Sequence, residues 1–248
     1  MFTHEGPSRN FRKNAILAGY LALVAGFVNS GGFVLIGSFT SHVTGSMGRL
    51  SVDLSTGSVA AALSALFLVI TFFAGAFSAS LIIESIATTQ QARGYGIALL
   101  IEAMLLTAFI SVAGLSHATH PRALDAEAAI LCVAMGMQNS LVTRLSGAVV
   151  RTTHLTGVVT DLAIEAARWY RWHRSRLGPL LLQGRGAERP LATRSILLIT
   201  IILAFTIGAV MGGIVTYRAS RWAMVAPAIA IFAASAYALT IHTKADDA

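Results

Sequence analysis

The chain has 248 residues, of which 55% are hydrophobic and 12% charged, with a formal net charge of +7 and a pI near 10.3. Soluble domains carry about 25% charged residues, so this composition excludes a fold kept in water over its whole surface. The basic balance does not point to nucleic acid either. The positive residues lie between apolar runs, where the positive-inside rule accounts for them.

Residues 1–13, with Arg9, Arg12 and Lys13, read as a short cytoplasmic tail. The apolar run 14–37 imitates a signal peptide but has no small-x-small cleavage site after it, so it is expected to stay as a first span. Asn29-Ser30-Gly31-Gly32 interrupts this run. A polar segment, Thr40–Asp53, precedes two plain spans at 59–86 and 95–115. Each is long enough for a hydrocarbon core about 30 Å thick, which takes about 20 helical residues to cross.

An outer loop, 116–125, holds His117-x-x-His120; two histidines are not a metal site by themselves. Span four, 126–145, is interrupted by Gln138-Asn139-Ser140 and contains Cys132, the sole cysteine, which excludes an intrachain disulfide. Beyond a second polar segment, arginines recur from Arg168 to Arg194, and Gly178, Pro179, Gly184 and Gly186 predict a loop over about 172–193. Spans at 195–217 and 222–241 and a tail at 242–248 complete the chain.

With the N-terminus inside, twelve Lys and Arg fall on the inner side: Arg9, Arg12, Lys13, Arg93, the seven arginines from 168 to 194, and Lys244. Four fall outside: Arg49, Arg122, Arg218 and Arg221. This asymmetry predicts a multi-pass membrane protein with both termini cytoplasmic.

The chain also repeats itself. Gly26-Phe-Val-Asn29-Ser30 matches Gly136-Met-Gln-Asn139-Ser140, and Thr40-Ser41-His42-Val43-Thr44-Gly45 matches Thr152-Thr153-His154-Leu155-Thr156-Gly157. Over Thr40–Asp53 against Thr152–Glu165, five of fourteen positions are identical, and Asp53 and Glu165 each stand eleven residues after their histidine. Apolar composition can match Leu to Leu by accident, but not His-x-Thr-Gly with a carboxylate at fixed distance. Three crossings per half is odd, so the second half enters from the opposite side. The expected fold is all-α: a polytopic transmembrane helix bundle of about six spans plus two short re-entrant or interfacial helices, built as a 3+3 inverted repeat. The first membrane repeat is 14–115 and the second 126–241. Inverted repeats with interrupted helices mark many secondary transporters, whose site lies at the repeat interface.

As a helix, the motif places His42, Gly45, Arg49 and Asp53 on one face, and His154, Gly157, Asp161 and Glu165 in the second copy. Ser41 and Thr153 suit the N-cap position. Two helix N-termini directed at one cavity would favour an anionic or carbonyl-bearing solute. The expected binding residues are therefore His42, Thr44, Gly45, His154, Thr156 and Gly157. Gly45 and Gly157 would admit close backbone approach, and Arg49 and Asp161 suggest an ion pair across the pseudo-two-fold. Asn29 and Asn139 either hydrogen-bond between helices or satisfy groups freed at a helix break. Glu102, seven residues into a span, belongs to an ion or proton path or is neutral and bonded within the bundle; Glu84 and Glu127 are expected at solvated span ends. The alternative for the motif is a pair of helices lying flat on the two membrane surfaces.

From Gly26 through Asn29 to His42-Val-Thr-Gly45, the chain resembles the YoaK-type family of small bacterial membrane proteins over nearly its whole length. Asn29 stands where that family commonly has aspartate, and Ser46 where it has asparagine. The resemblance implies a membrane location and no particular chemistry. No nucleotide, nucleophile-elbow or zinc-protease motif is present. The expected function is a gradient-driven permease or channel for a small solute, with no catalytic residue and no cofactor or metal. The bilayer is its partner, nucleic acid is not, and homo-oligomerisation is left open. A non-transporting scaffold and a small intramembrane enzyme are the alternatives.

Overall fold

A computed structural model describes residues 11–86, 90–115, 121–145, 155–177 and 191–246. Among them the chain forms helices and no strand: α1 (Phe11–Ile36), α2 (Val43–Ser55), α3 (Val59–Glu84), α4 (Gln91–Leu115), α5 (Pro121–Leu145), α6 (Leu155–Leu177), α7 (Ala192–Ala219) and α8 (Val225–Asp246). Five apolar runs are long enough to cross a membrane: Ala15–Ile36, Val59–Glu84, Ala92–Ala113, Asp125–Arg144 and Ala192–Thr240. This is the arrangement of a multi-pass membrane protein. The last run is 49 residues long and is divided into α7 and α8 by a 3-10 turn, Ser220–Met224. Ser220 takes φ +53 there, and Arg221 lies over the Trp222 ring at 5.3 Å, the kind of basic and aromatic pair that anchors a helix end at the interface.

α1 packs along α7, α3 along α5, and α4 along α8. The first two pairs are close because glycine faces backbone in each. A Cβ added at Gly26 of α1 would collide with the Phe205 carbonyl of α7, and one at Gly208 with the Leu23 carbonyl. A Cβ at Gly136 of α5 would collide with the Phe72 carbonyl of α3, and one at Gly75 with that of Val133. Lipid offers no hydrophobic drive between helices, so small residues that let backbones meet supply much of the packing energy. Leu17, Leu21, Leu99, Leu106, Leu131 and Met135 fill the core between the pairs. Leu63, Ile70, Phe77 and Leu81 of α3 and Ile196, Leu203, Val210 and Ile214 of α7 are exposed, an apolar surface suited to acyl chains.

Three expectations about local structure change. α1 and α5 are continuous through Asn29-Ser30-Gly31-Gly32 and Gln138-Asn139-Ser140, because a helix buried among helices satisfies its own backbone and has no need to break. The glycines are used for packing instead: a Cβ at Gly31 would meet the Met224 methyl at 2.5 Å, and one at Gly32 the Leu131 side chain at 3.0 Å. Second, α6 is not short. α2 stops where Gly57 takes φ +76, a left-handed conformation that glycine adopts readily. The corresponding stretch Arg168-Trp169-Tyr170 has no glycine, and α6 runs on to Leu177, into residues read as loop. Third, Glu127 is buried rather than solvated. Glu84 is exposed as expected, but paired with Arg144 at 2.6 Å. His117, His120, Thr152, Thr153 and His154 lie outside the described residues.

Candidate functional site

Helix α1 ends at Ile36, where Gly37 takes φ +75 and its N–H bonds back to the Phe33 carbonyl. The chain then doubles back along α1. Ser41 and His42 return to Asn29, seven residues before the end of the helix and so about 10 Å below it at 1.5 Å per residue. The Ser41 hydroxyl donates to Asn29 Oδ1 at 2.9 Å, and Asn29 Nδ2 lies 3.4 Å from His42 Nε2. Asn29 and Ser41 are both buried. Since the Asn29 oxygen accepts from Ser41, its amide nitrogen is the donor toward His42, and Nε2 must accept, which only a neutral imidazole does. Phe39 stacks on the other side, its ring 4.8 Å from that of His42 and 4.4 Å from that of Phe33. His42 sits in the connection between α1 and α2, outside the spans, and crowding by these neighbours lowers its pKa from the ordinary histidine value through loss of solvation.

Ser41 therefore does not cap α2. His42 occupies the cap position, and its side chain makes no capping bond. The first N–H groups of α2 are left to the space in front of them. That space is a cavity of about 480 Å³, lined by Ser41 through Gly45, by Val69, Phe72, Phe73 and Ala76 of α3, and by Leu155, Thr156 and Gly157 at the start of α6. His42, Thr44, Gly45, Thr156 and Gly157 are thus brought to one cavity, while His154 falls outside the described residues. A Cβ at Gly157 would meet nothing within 4 Å, and one at Gly45 only the His42 Cβ at 3.8 Å. Among the described residues no backbone approaches either glycine, and both line the cavity.

Most supporting residues lie elsewhere. Arg49 and Asp161 do not pair: Arg49 meets Asp53 on its own helix at 3.6 Å, and Asp161 meets Arg194 of α7 at 3.6 Å. Local partners one helical turn away, or a residue on the packed α7, are nearer than the other motif copy. Glu165 is buried and held by Arg168 at 2.7 Å and Arg194 at 3.5 Å. Arg49 instead lines a separate, larger cavity of about 950 Å³ with Ser64 and Asp125, where the Ser64 hydroxyl donates to Asp125. Asn139 donates to the Met135 carbonyl of its own helix at 2.9 Å, and Glu102 lies fully buried in α4.

The α3 wall was absent from the sequence reading. Val69, Phe72, Phe73 and Ala76 sit in a uniformly apolar span, where a cavity-lining phenylalanine has the same neighbours as a lipid-facing one. Their 72/76 spacing places Phe72 and Ala76 on the Gly136 contact face, the one available signal.

No curated protein and no solved structure matches the chain. The family described as Protein of unknown function (DUF1275) matches residues 17–237, from within α1 into α8 and across both motif copies, and the chain belongs to that family.

Proposed function

We propose that this protein is a gradient-driven permease or channel for a small solute, with the solute held between the two His-x-Thr-Gly segments. The observation that carries the reading is the cavity that both segments line. About 480 Å³ lies within the range of small-molecule sites, roughly 300–1,000 Å³. Its described lining has hydroxyls, an imidazole and the N-terminus of α2, which His42 does not cap, but no carboxylate. This chemistry suits a small anion or a carbonyl compound, whose oxygens accept from free N–H groups, with an apolar part against Phe72 and Phe73.

The proposal includes a 3+3 inverted repeat with re-entrant motif helices. In its support, one offset of 133 residues relates Gly75 to Gly208, Phe72 to Phe205 and Ala76 to Ala209, and α1–α7 packing mirrors α5–α3 packing. The cavity wall is formed by Val69–Ala76, the middle of a 26-residue span, a depth that a helix lying flat on the surface would not reach. We further propose a bacterial inner-membrane location with both termini cytoplasmic, and a transport rather than enzymatic role.

The test is uptake by vesicles reconstituted with the purified chain and screened with formate, acetate, nitrate and urea. The expected result is saturable uptake of at least one solute, lowered at least tenfold by His42→Ala and by His154→Ala. Full uptake in both variants would remove the histidines from the site, and no uptake of any solute by the unaltered protein would favour the scaffold reading.

A further inference from the structure

Glu102 is the eleventh residue of the 22-residue span Ala92–Ala113, so it sits near mid-membrane. It is 0% exposed, and among the described residues neither of its carboxyl oxygens has a hydrogen-bond partner. An ionised carboxylate in that position has lost its water and gained no donor, among the costliest arrangements in a membrane interior. A neutral carboxyl avoids most of that cost.

The fold does not require an acid there. The 133-residue offset that relates α3 to α7 carries Glu102 to Ser235 of α8, and the same offset carries Ala103, Leu106 and Thr107 to Ala236, Leu239 and Thr240. Ser235 is equally buried and is satisfied, its hydroxyl donating to the Gly96 carbonyl of α4 at 2.7 Å. One half of the molecule thus fills this position with a small neutral group, and the other with a carboxyl that has no partner.

The ionisable groups around Glu102 are few. Tyr20 of α1 is the titratable group that feels its charge, and the Tyr20 hydroxyl donates to the Ala230 carbonyl of α8. The charged groups of the helices packed on α4 lie toward their ends: Glu84 of α3, Asp125, Glu127 and Arg144 of α5, and Lys244 of α8. Cys132 of α5 is in a separate cluster with Leu68 and Ala128, Tyr237 of α8 is exposed, and Arg221 of the 3-10 turn bonds the Ala113 carbonyl. Among the described residues, no group of three or more His, Cys, Asp or Glu could hold a metal ion. A proton, which needs one oxygen, fits where a metal cation, which needs several, does not.

We propose that Glu102 is a proton-binding site in the core of the membrane, protonated at neutral pH, and that its proton is the one coupled to solute movement. The coupling rests on the permease reading above; proton binding does not. In the coupled step the carboxyl O–H bond breaks, the proton passes to water that reaches the group when the bundle opens, and the carboxylate keeps the electron pair.

The first test uses the purified full chain in detergent and dicyclohexylcarbodiimide, an apolar reagent that adds to protonated carboxyls. The carboxyl proton goes to a nitrogen of the reagent and the carboxyl oxygen to its central carbon, giving an adduct read by peptide mass spectrometry. Modification of Glu102 at neutral pH is expected, slowing as pH is raised and unchanged by sodium. Infrared spectra should show a protonated-carboxyl band that is absent in Glu102→Gln and kept in Glu102→Asp. An unmodified Glu102 in folded protein, absence of that band, or protection by sodium at constant pH would each overturn the proposal. The second test adds a pH gradient to the vesicle assay. Glu102→Gln should retain solute exchange but lose at least tenfold of the gradient-driven accumulation; undiminished accumulation would sever Glu102 from coupling. Labelling without any solute uptake would sink the permease reading alone.

Discussion

Two copies of one motif, Asn29 with α2 and Asn139 with α6, start from the same letters and diverge after them. In the first, Asn29 looks outward from its helix and gathers Ser41 and His42. In the second, Asn139 donates to the Met135 carbonyl one turn back, and Thr153 and His154 lie outside the described residues. The first motif helix stops at Ser55, and its half-buried carboxylate, Asp53, pairs with the exposed Arg49 of the same helix. The second continues to Leu177, and its carboxylate, Glu165, is buried beneath Arg168 and Arg194. A duplicated motif therefore does not imply a duplicated role. The shared letters bring both N-termini to one cavity, and the differing letters after them give one copy a short helix packed on α3 and the other a longer helix tied to Arg194 of α7.

The packing beneath these regions is where the halves agree, and breaking it should have the largest effect. Gly26→Val and Gly136→Val each force a side chain into a facing carbonyl. Both should cost more than the roughly 1–3 kcal/mol usual for overpacking, because backbone cannot move aside as a side chain can. Thermal unfolding in detergent should show losses of similar size for the two, and a loss confined to one half would break the equivalence. Gly157→Ala, with open space around it, should leave unfolding unchanged or raise it by up to about 1 kcal/mol, while impeding the solute.

The asparagines come next. Asn29→Ala leaves Ser41 without its acceptor and should destabilise by about 1–3 kcal/mol. A double-mutant cycle of Asn29→Ala with Ser41→Ala should give a coupling of about 0.5–3 kcal/mol, and the cycle of Asn139→Ala with Ser41→Ala close to zero. A coupling near zero for Asn29 with Ser41 would remove the bond between them.

Acid should act on the first region through His42. Its folded pKa is lowered, so any stability linked to it is present above the unfolded pKa and is lost as pH falls through the folded one. The His42 imidazole, followed by NMR, should titrate below the ordinary histidine value, and Asn29→Ala should shift its midpoint. A midpoint above that value would refute the neutral, accepting Nε2. The smallest effect is expected at Arg49, an exposed side chain whose pair with the half-buried Asp53 on the next turn should contribute no more than about 0.2–1 kcal/mol, less at high salt. Equilibrium unfolding of Arg49→Ala measures this, and a loss above that range would mean that the pair does more than decorate the surface.

Much of the architecture was legible in the letters. The apolar runs appear at their expected places with ends shifted by a few residues, because crossing a hydrocarbon layer is a demand on length and composition that a single strand of text records. The motif pair was legible because polar residues inside an apolar chain are conspicuous. The misread features all concern what a polar or small residue does once it has neighbours. Asn29 and Gly31 look like a helix break until Ser41, His42 and Met224 are beside them, and Ser41 looks like a cap until Asn29 competes for its hydroxyl. Arg49 looks like a partner for Asp161 until Asp53 lies closer.

The sequence by itself determined that the chain is helical, membrane-embedded and internally repeated, since periodicity, length and charge asymmetry act along the chain. Only the tertiary structure decided that Thr44 and Gly45 share a cavity with Thr156 and Gly157, that the wall between them is the middle of α3, and that Glu102 has no partner. Those are relations between distant parts of the chain, set by which glycine faces admit a neighbouring backbone, and order along the chain carries no record of them.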